Sequence, residues 1–103
     1  MQNQDTTLRA HIAKMLANGL QTQTEPVPEN SDEYRVLLAA LQELGTDNLE
    51  GKLVLAGLIG RPYGADQMRC QQCMYYLVHR KWCALPELAL PVASHWWCRL
   101  WRI

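Results

Sequence analysis

The residues with the clearest chemistry are four cysteines in the last third of the 103-residue chain. Their spacing, C-x2-C-x9-C-x14-C, is formed by Cys70, Cys73, Cys83 and Cys98. Four thiolates complete the ligand set of one tetrahedral zinc ion or one [4Fe-4S] cluster, and four thiols can also form two disulfides. The chain begins with a polar stretch that lacks the basic and apolar regions of a signal peptide, which predicts a cytoplasmic protein. Because structural disulfides are rare in the cytoplasm, a metal centre is favoured.

The spacing of the cysteines bears on which metal they bind. Cys70 and Cys73 form a C-x-x-C corner, which brings two sulfurs to one metal. The other two arrive singly, whereas zinc ribbons supply their ligands as two close-spaced pairs. Single cysteines suit a cubane cluster, in which each iron takes one thiolate. His79 and His95 could each complete a three-cysteine zinc site, but four cysteines already suffice, so we expect both histidines at the surface.

The segment 70–101 resembles the high-potential iron–sulfur proteins. It has the motifs Cys70-x-x-Cys73, a lone Cys83 before a proline-containing loop, and a closing Trp97-Cys98-x-x-Trp101. The segment is also similar to the small cluster-binding subunits of benzylsuccinate synthases and to small cysteine-rich proteins of phages and conjugative elements. The resemblance implies one [4Fe-4S] cluster held by the four cysteines, with Trp97 and Trp101 packed around it. One structural zinc ion is the alternative cofactor.

Aromatic residues are concentrated around the cysteines. Tyr75, Trp97 and Trp101 are candidates for shielding a cluster from water, although aromatic side chains also form the core of most small domains. Trp96 and Trp97 are consecutive and cannot face the same way in an extended segment. We therefore expect one of these two rings at the surface or in an interface.

Residues 1–62 have the periodicity of a mainly α-helical part with two to three helices. A first helix is predicted from a cap at Asp5 or Thr6 to the stop signal Asn18-Gly19, followed by a polar, proline-containing linker at 21–30. Asn30 predicts the start of a second helix, and Gly45 its end.

A third helix is predicted over 49–59, capped within Thr46-Asp-Asn, with a buried strand over 53–59 as the alternative. Residues 63–103 form the Cys- and Trp-rich part, which we expect to be small, irregular and metal-centred. Within it we expect a short helix over 66–81 and an irregular loop over 84–95.

Charge differs between the two parts of the chain. The net charge is −4 over residues 1–60 and +4 over residues 61–103. Arginines and a lysine alternate with tryptophans in the second part, which suits phosphate contact with base stacking. The small net charge favours the alternative, cation–π packing on an ordinary surface. The candidates for contact with nucleic acid or another partner are Arg80, Lys81, Arg99 and Arg102.

The sequence has no motif of a hydrolase, P-loop enzyme or zinc protease, so we expect no enzymatic activity and no small-molecule substrate. Its longest apolar run, 53–59, is too short to cross a bilayer, so no membrane partner is expected. The predicted function is a non-enzymatic accessory or regulatory protein whose four-cysteine site shapes a binding surface. The expected partner is a larger protein or nucleoprotein complex, such as one of a mobile genetic element. The alternatives are a small iron–sulfur electron-transfer or redox-sensing protein and a structural zinc-binding interaction module.

Overall fold

Three helices precede a small three-stranded sheet in the computed structural model, which describes residues 2–45 and 47–102. The helices are α1 (Gln2–Ala17), α2 (Ser31–Leu44) and α3 (Leu49–Ala56). A short 3-10 turn, Cys70–Gln72, leads into β1 (Tyr76–Leu77), β2 (Trp82–Cys83) and β3 (Leu90–Pro91). The strands are antiparallel in the order β1-β2-β3. The helical character predicted for the first part of the chain is therefore confirmed.

Helix α2 has the boundaries that its sequence predicts. The Asn30 side chain accepts the backbone N–H of Glu33 at 2.9 Å, and the Glu33 carboxylate accepts the N–H of Glu29 at 2.8 Å. The first bond satisfies a donor that the first turn of a helix otherwise leaves free, and the second ties the residue before the cap to that turn. Gly45 ends the helix with a φ of 78°, and α2 buries Tyr34 and Leu41 from its apolar face.

Helices α1 and α3 each differ from the prediction at one end. Helix α1 begins at Gln2, before the predicted cap, and ends at Ala17 as predicted. Helix α3 ends at Ala56 because Gly57 adopts the left-handed conformation, with a φ of 66°. Ile59, predicted to be helical, instead forms an antiparallel bridge with Trp97.

The alternative prediction of a strand over 53–59 is wrong for its first half, since residues 53–56 are helical. The N-terminal cap of α3 is Asn48, whose side chain accepts the N–H of Gly51 at 2.9 Å. Thr46, also considered for the cap, lies outside the described residues.

The prediction of a helix over 66–81 is wrong, and only a single 3-10 turn forms there, at Cys70–Gln72. Strands β1 and β2 form a hairpin instead, in which Tyr76 pairs with Cys83. Its turn is closed by the Lys81 N–H, which donates to the Leu77 carbonyl at 2.8 Å, and Lys81 has a φ of 54°. The loop predicted over 84–95 contains β3, which pairs with β2.

Residues 21–30 lack helix and strand but are held against α3. The Gln23 N–H donates to the Val54 carbonyl at 2.8 Å. A Cβ atom on Gly57 would lie 2.3 Å from the Gln23 carbonyl oxygen, so this close approach requires glycine. We call residues 21–30 the strap, because they bind across α3 through the backbone.

One hydrophobic core joins the helices to the cysteine-rich part. It contains Ile12 of α1, Leu41 of α2 and Leu53 of α3 together with buried residues of the C-terminal part. Trp96 and Trp97 are both buried, so the expectation that one is exposed is wrong. Each ring has its own neighbours: Trp97 stacks on Tyr63 with ring centroids 3.9 Å apart, and Trp96 borders a groove beside Leu16 of α1.

Helix α1 is tied to the hairpin by charge. Arg80 donates to both carboxylate oxygens of Asp5, at 2.7 and 3.2 Å, and Asp5 is only 8% exposed. Arg9 donates to the backbone carbonyls of Arg80 and Lys81 at 3.1 and 2.9 Å. The acidic and basic parts of the chain therefore meet within one molecule. Across residues 2–45 and 47–102, no helix combines the length and apolar character needed to cross a membrane.

We predict that Asp5→Asn lowers the thermal unfolding midpoint at neutral pH, because the Arg80 guanidinium loses a bidentate acceptor. Hydrogen bonding to Arg80 holds the pKa of Asp5 below its usual 3.8. The stabilisation is therefore complete above that value and is lost as the pH falls through the lowered pKa. The difference between wild type and variant should be present at pH 7 and vanish in acid. Asp66→Asn, which neutralises an exposed carboxylate, is the control; equal midpoints for wild type and Asp5→Asn at pH 7 would refute the prediction.

Candidate metal centre

All four cysteines border one small cavity in the C-terminal part. Its remaining walls are apolar or aromatic: Leu58, Tyr76, Leu88, Val92 and Trp101. Cys70 opens the 3-10 turn, Cys73 follows that turn, and Cys83 belongs to β2. Cys98 follows Trp97, whose backbone pairs with Ile59. Three separate stretches of chain therefore deliver the thiols to one place.

Backbone hydrogen bonds hold two of these stretches side by side. The Cys70 N–H donates to the Trp96 carbonyl at 2.6 Å, and the Gln71 N–H donates to the Ser94 carbonyl at 3.1 Å. Further along, the Met74 N–H donates to the Arg102 carbonyl at 2.7 Å. This ladder aligns the C-x-x-C corner with the segment that carries Cys98.

The thiols differ in exposure. Cys70, Cys83 and Cys98 are buried, whereas Cys73 is half-buried. Burial raises the pKa of Cys83 to about 11 and raises the pKa values of Cys70 and Cys98 further, because a thiolate is poorly solvated there. Each of the four thiols also lies within electrostatic reach of the other three. A metal bound here would have to displace the thiol protons.

Backbone N–H groups donate to three of the sulfurs. The Arg102 N–H donates to Cys73 Sγ at 3.5 Å. Backbone hydrogen bonds from Leu85 and Leu100 lower the pKa values of Cys83 and Cys98, respectively. Such bonds favour the thiolate and are a common feature around metal-bound sulfur.

All four cysteines are free thiols in the structure. Within the described ranges, no group of three or more His, Cys, Asp or Glu side chains is arranged to hold a single metal ion. The four sulfurs lie around a cavity.

Of the three aromatic residues predicted to shield the site, Trp101 lines the cavity, and its Nε1–H donates to the Arg69 carbonyl at 2.8 Å. Trp97 stacks on Tyr63, and Tyr75 is half-buried; neither is among the lining residues. Tyr76 lines the cavity instead and donates from its hydroxyl to the Val92 carbonyl at 3.3 Å. Tyr75 and Tyr76 are adjacent in the sequence, and the pairing of β1 with β2 decides which of them faces the cavity.

The four predicted contact residues lie in different environments. Arg80 pairs with Asp5 and lies 3.6 Å above the Trp82 ring, while Lys81 is exposed. Arg102 is exposed and lies 4.1 Å above the Tyr34 ring. Arg99 is buried, and its guanidinium donates to the Leu55 and Pro26 carbonyls and to the Gln23 side-chain oxygen.

The two histidines considered as ligands lie away from the cavity. His79 and His95 are both exposed, and neither is among the cavity-lining residues. His95 packs edge-on against Trp96, with ring centroids 6.3 Å apart.

No protein-family model, curated protein or solved structure matches this chain.

We predict that Cys73 reacts first when the metal-free protein is treated with iodoacetamide, because it is the most exposed of the four thiols. Cys83 should react more slowly, since burial both hides its sulfur and raises its pKa to about 11. Peptide mass spectrometry after timed quenching measures the order. The comparison is internal, with the same protein unfolded in denaturant as the control, where the four rates should converge. Modification of Cys70 or Cys98 before Cys73 in the folded protein would contradict this arrangement.

Proposed function

We propose that Cys70, Cys73, Cys83 and Cys98 bind one [4Fe-4S] cluster, and that the protein is a non-enzymatic accessory or regulatory protein whose binding surface depends on this centre. The observation that carries the proposal is that all four cysteines border one cavity with apolar and aromatic walls. No other residue type is needed to complete a cubane, whose four irons each take one thiolate.

The chemistry of the cavity walls fits a cluster. Leu58, Leu88 and Val92 are buried apolar neighbours that would exclude water, and the backbone N–H groups near the sulfurs would stabilise thiolate charge. The single placement of Cys83 and Cys98 in the chain favours a cluster over one zinc ion, because each iron of a cubane takes one thiolate.

The centre would stabilise a part of the chain that has little regular structure. Strands β1, β2 and β3 are two residues long each, which supplies few backbone hydrogen bonds. Metal ligation that joins three stretches of chain contributes folding energy directly, as in other small metal-binding domains. Four protein ligands leave no open coordination position for a substrate, which is the reason for proposing a non-enzymatic role.

The surface beside the centre suits a protein partner. Met74, Leu77 and Val78 are exposed large apolar side chains on and next to the hairpin. Met74 directly follows Cys73, so loss of metal from Cys73 would disturb the position of this patch. Exposed apolar side chains that lie within five positions of one another in the chain suit a binding surface.

Electron transfer is the second candidate function. It is favoured by the half-buried position of Cys73, which would bring one corner of a cluster close to the protein surface. The measurement that separates the two functions is reversible reduction: a stable one-electron couple supports a redox role, whereas a cluster that falls apart on reduction supports a structural one.

Anaerobic purification followed by visible spectroscopy and metal analysis tests the proposal. We expect a brown protein with a broad visible absorption band and iron as the bound metal. Cys98→Ser should lower the iron content and lower the unfolding midpoint, because it removes one of the four ligands. Ala84→Ser, which adds a hydroxyl at an exposed position beside Cys83, should leave both unchanged. A colourless protein with one zinc per chain would show that the site binds structural zinc and not a cluster. A wild-type protein without metal would exclude both.

A further inference from the structure

An open cleft lies between helix α1 and the turn that joins β1 to β2. The residues that line it are all polar: Asp5, Thr6, Arg9, His79, Arg80 and Lys81. The first three belong to the helix and the last three to the turn, so the cleft exists only where these two elements meet. It is separate from the four-cysteine cavity, with which it shares no lining residue.

The cleft carries an excess of positive charge. Among the described residues that line it, Asp5 provides the one carboxylate, and both of its oxygens already accept from the Arg80 guanidinium, at 2.7 and 3.2 Å. Arg80 and, more weakly, Arg9 lower the pKa of Asp5, so this single carboxylate faces two guanidinium groups. Three cations against one carboxylate leave the lining with a net charge of +2 before any protonation of His79.

Arg9 is fixed across the turn while its charge stays unbalanced. Its Nη2 donates to the backbone carbonyls of Arg80 and Lys81, at 3.1 and 2.9 Å. Both acceptors are neutral, so they hold the guanidinium in place without offsetting its charge. The Nε of Arg9 is buried and has no hydrogen-bond partner among the described residues. Arg9 therefore brings both a positive charge and an unsatisfied donor to the wall of the cleft.

Lys81 supplies a second cation that the fold itself does not use. The residue is exposed, and within residues 2–45 and 47–102 its side chain makes no ion pair. Its backbone has a φ of 54°, in the left-handed region that favours glycine and asparagine over a long side chain. Residues held in such conformations are frequent at binding sites. A lysine at this position of the turn is therefore better explained by its charge than by its backbone.

A phosphate group matches the charge and the donors of this cleft. A phosphate monoester carries close to two negative charges at neutral pH and several strong acceptor oxygens. Guanidinium and ammonium groups are the side chains that bind such oxygens, arginine through paired N–H groups and lysine as a point charge. A carboxylate ligand, with one charge, would balance only half of the excess.

We propose that the cleft between α1 and the hairpin turn is a binding site for a doubly charged phosphate group, either inorganic phosphate or a small phosphate monoester. Arg9, His79 and Lys81 would contact its oxygens. The Asp5–Arg80 pair would keep the two walls of the cleft together. This site goes beyond the proposed function and does not depend on a metal at the four cysteines.

Lysine labelling of the full chain tests the site with inorganic phosphate as the probe. Lys14 is an exposed lysine of α1 outside the cleft, so it serves as a control within the same molecule. We expect phosphate to slow acetylation of Lys81 relative to Lys14, by about threefold at a concentration of about twice the dissociation constant. Mass spectrometry of peptides measures both rates, and sodium chloride keeps the ionic strength constant because salt screens exposed charges. Equal effects on the two lysines would refute the site.

Two matched variants test the contribution of Lys81 by calorimetric titration with phosphate. Lys81→Gln should weaken binding by about threefold, as expected for one exposed ion pair, and Lys14→Gln should leave it unchanged. Without phosphate, both variants should unfold at the wild-type temperature, because neither side chain makes an ion pair in the described part of the chain. Equal affinities of the two variants for phosphate would contradict the proposal.

Two further titrations identify the source of the phosphate group. Tighter binding of adenosine monophosphate than of inorganic phosphate would support the site and indicate a phosphate monoester as its ligand, whereas equal or weaker binding would support free phosphate. A single-stranded oligonucleotide without terminal phosphates carries only singly charged diesters. If it binds while inorganic phosphate does not, the cleft is a nucleic-acid contact and the proposal is wrong.

Discussion

Four thiols must reach one cavity from three stretches of chain, and this requirement dictates the course of the C-terminal part. The thiols are unfavourable as charged groups where they lie, because burial raises the pKa values of Cys70, Cys83 and Cys98. A bound metal reverses that balance, since its positive charge favours the thiolates. The short strands and the ladder between Cys70 and Trp96 hold the sulfur-bearing segments together around one cavity. The proposed centre would then supply the stability that two-residue strands cannot.

The helical part of the chain supports the site from outside. Helix α1 is joined to the hairpin by the Asp5–Arg80 pair, and α3 is joined to the C-terminal segment through the Arg99 N–H, which donates to the Ala56 carbonyl at 2.9 Å. The strap crosses α3 where Gly57 permits a close approach and supplies two of the oxygens around the Arg99 guanidinium. The surroundings of the Arg99 guanidinium are thus built from residues distant in sequence.

Local signals predicted those parts of the fold that depend on local interactions. Asn30 and Gly45 mark the ends of α2 because caps act within one helical turn, and the cysteines could be identified as candidate ligands from residue type and spacing. The hairpin has no local signature, because its stability comes from pairing with β3 and from packing on the core, neither of which appears in a local pattern. Burial of both Trp96 and Trp97 required partners on two sides of the segment.

The environment of Arg99 also depends on contacts that its neighbours in the sequence do not indicate. Next to tryptophans in a basic segment, it fits the pattern of a surface contact residue. Its actual environment is set by a carbonyl 73 positions earlier in the chain, which no short-range pattern reports. The cations that interleave with aromatics in this segment therefore have different roles, with Arg80 and Arg102 over aromatic rings and Arg99 inside the fold.

We propose that the four cysteines jointly hold one polynuclear centre. Native mass spectrometry of the anaerobically purified protein tests it most directly, because it weighs the intact chain together with whatever it binds. We expect one species heavier than the bare chain by four irons and four sulfides, less the protons lost from the thiols. A mass equal to the bare chain, or to the chain with two disulfides, would contradict it.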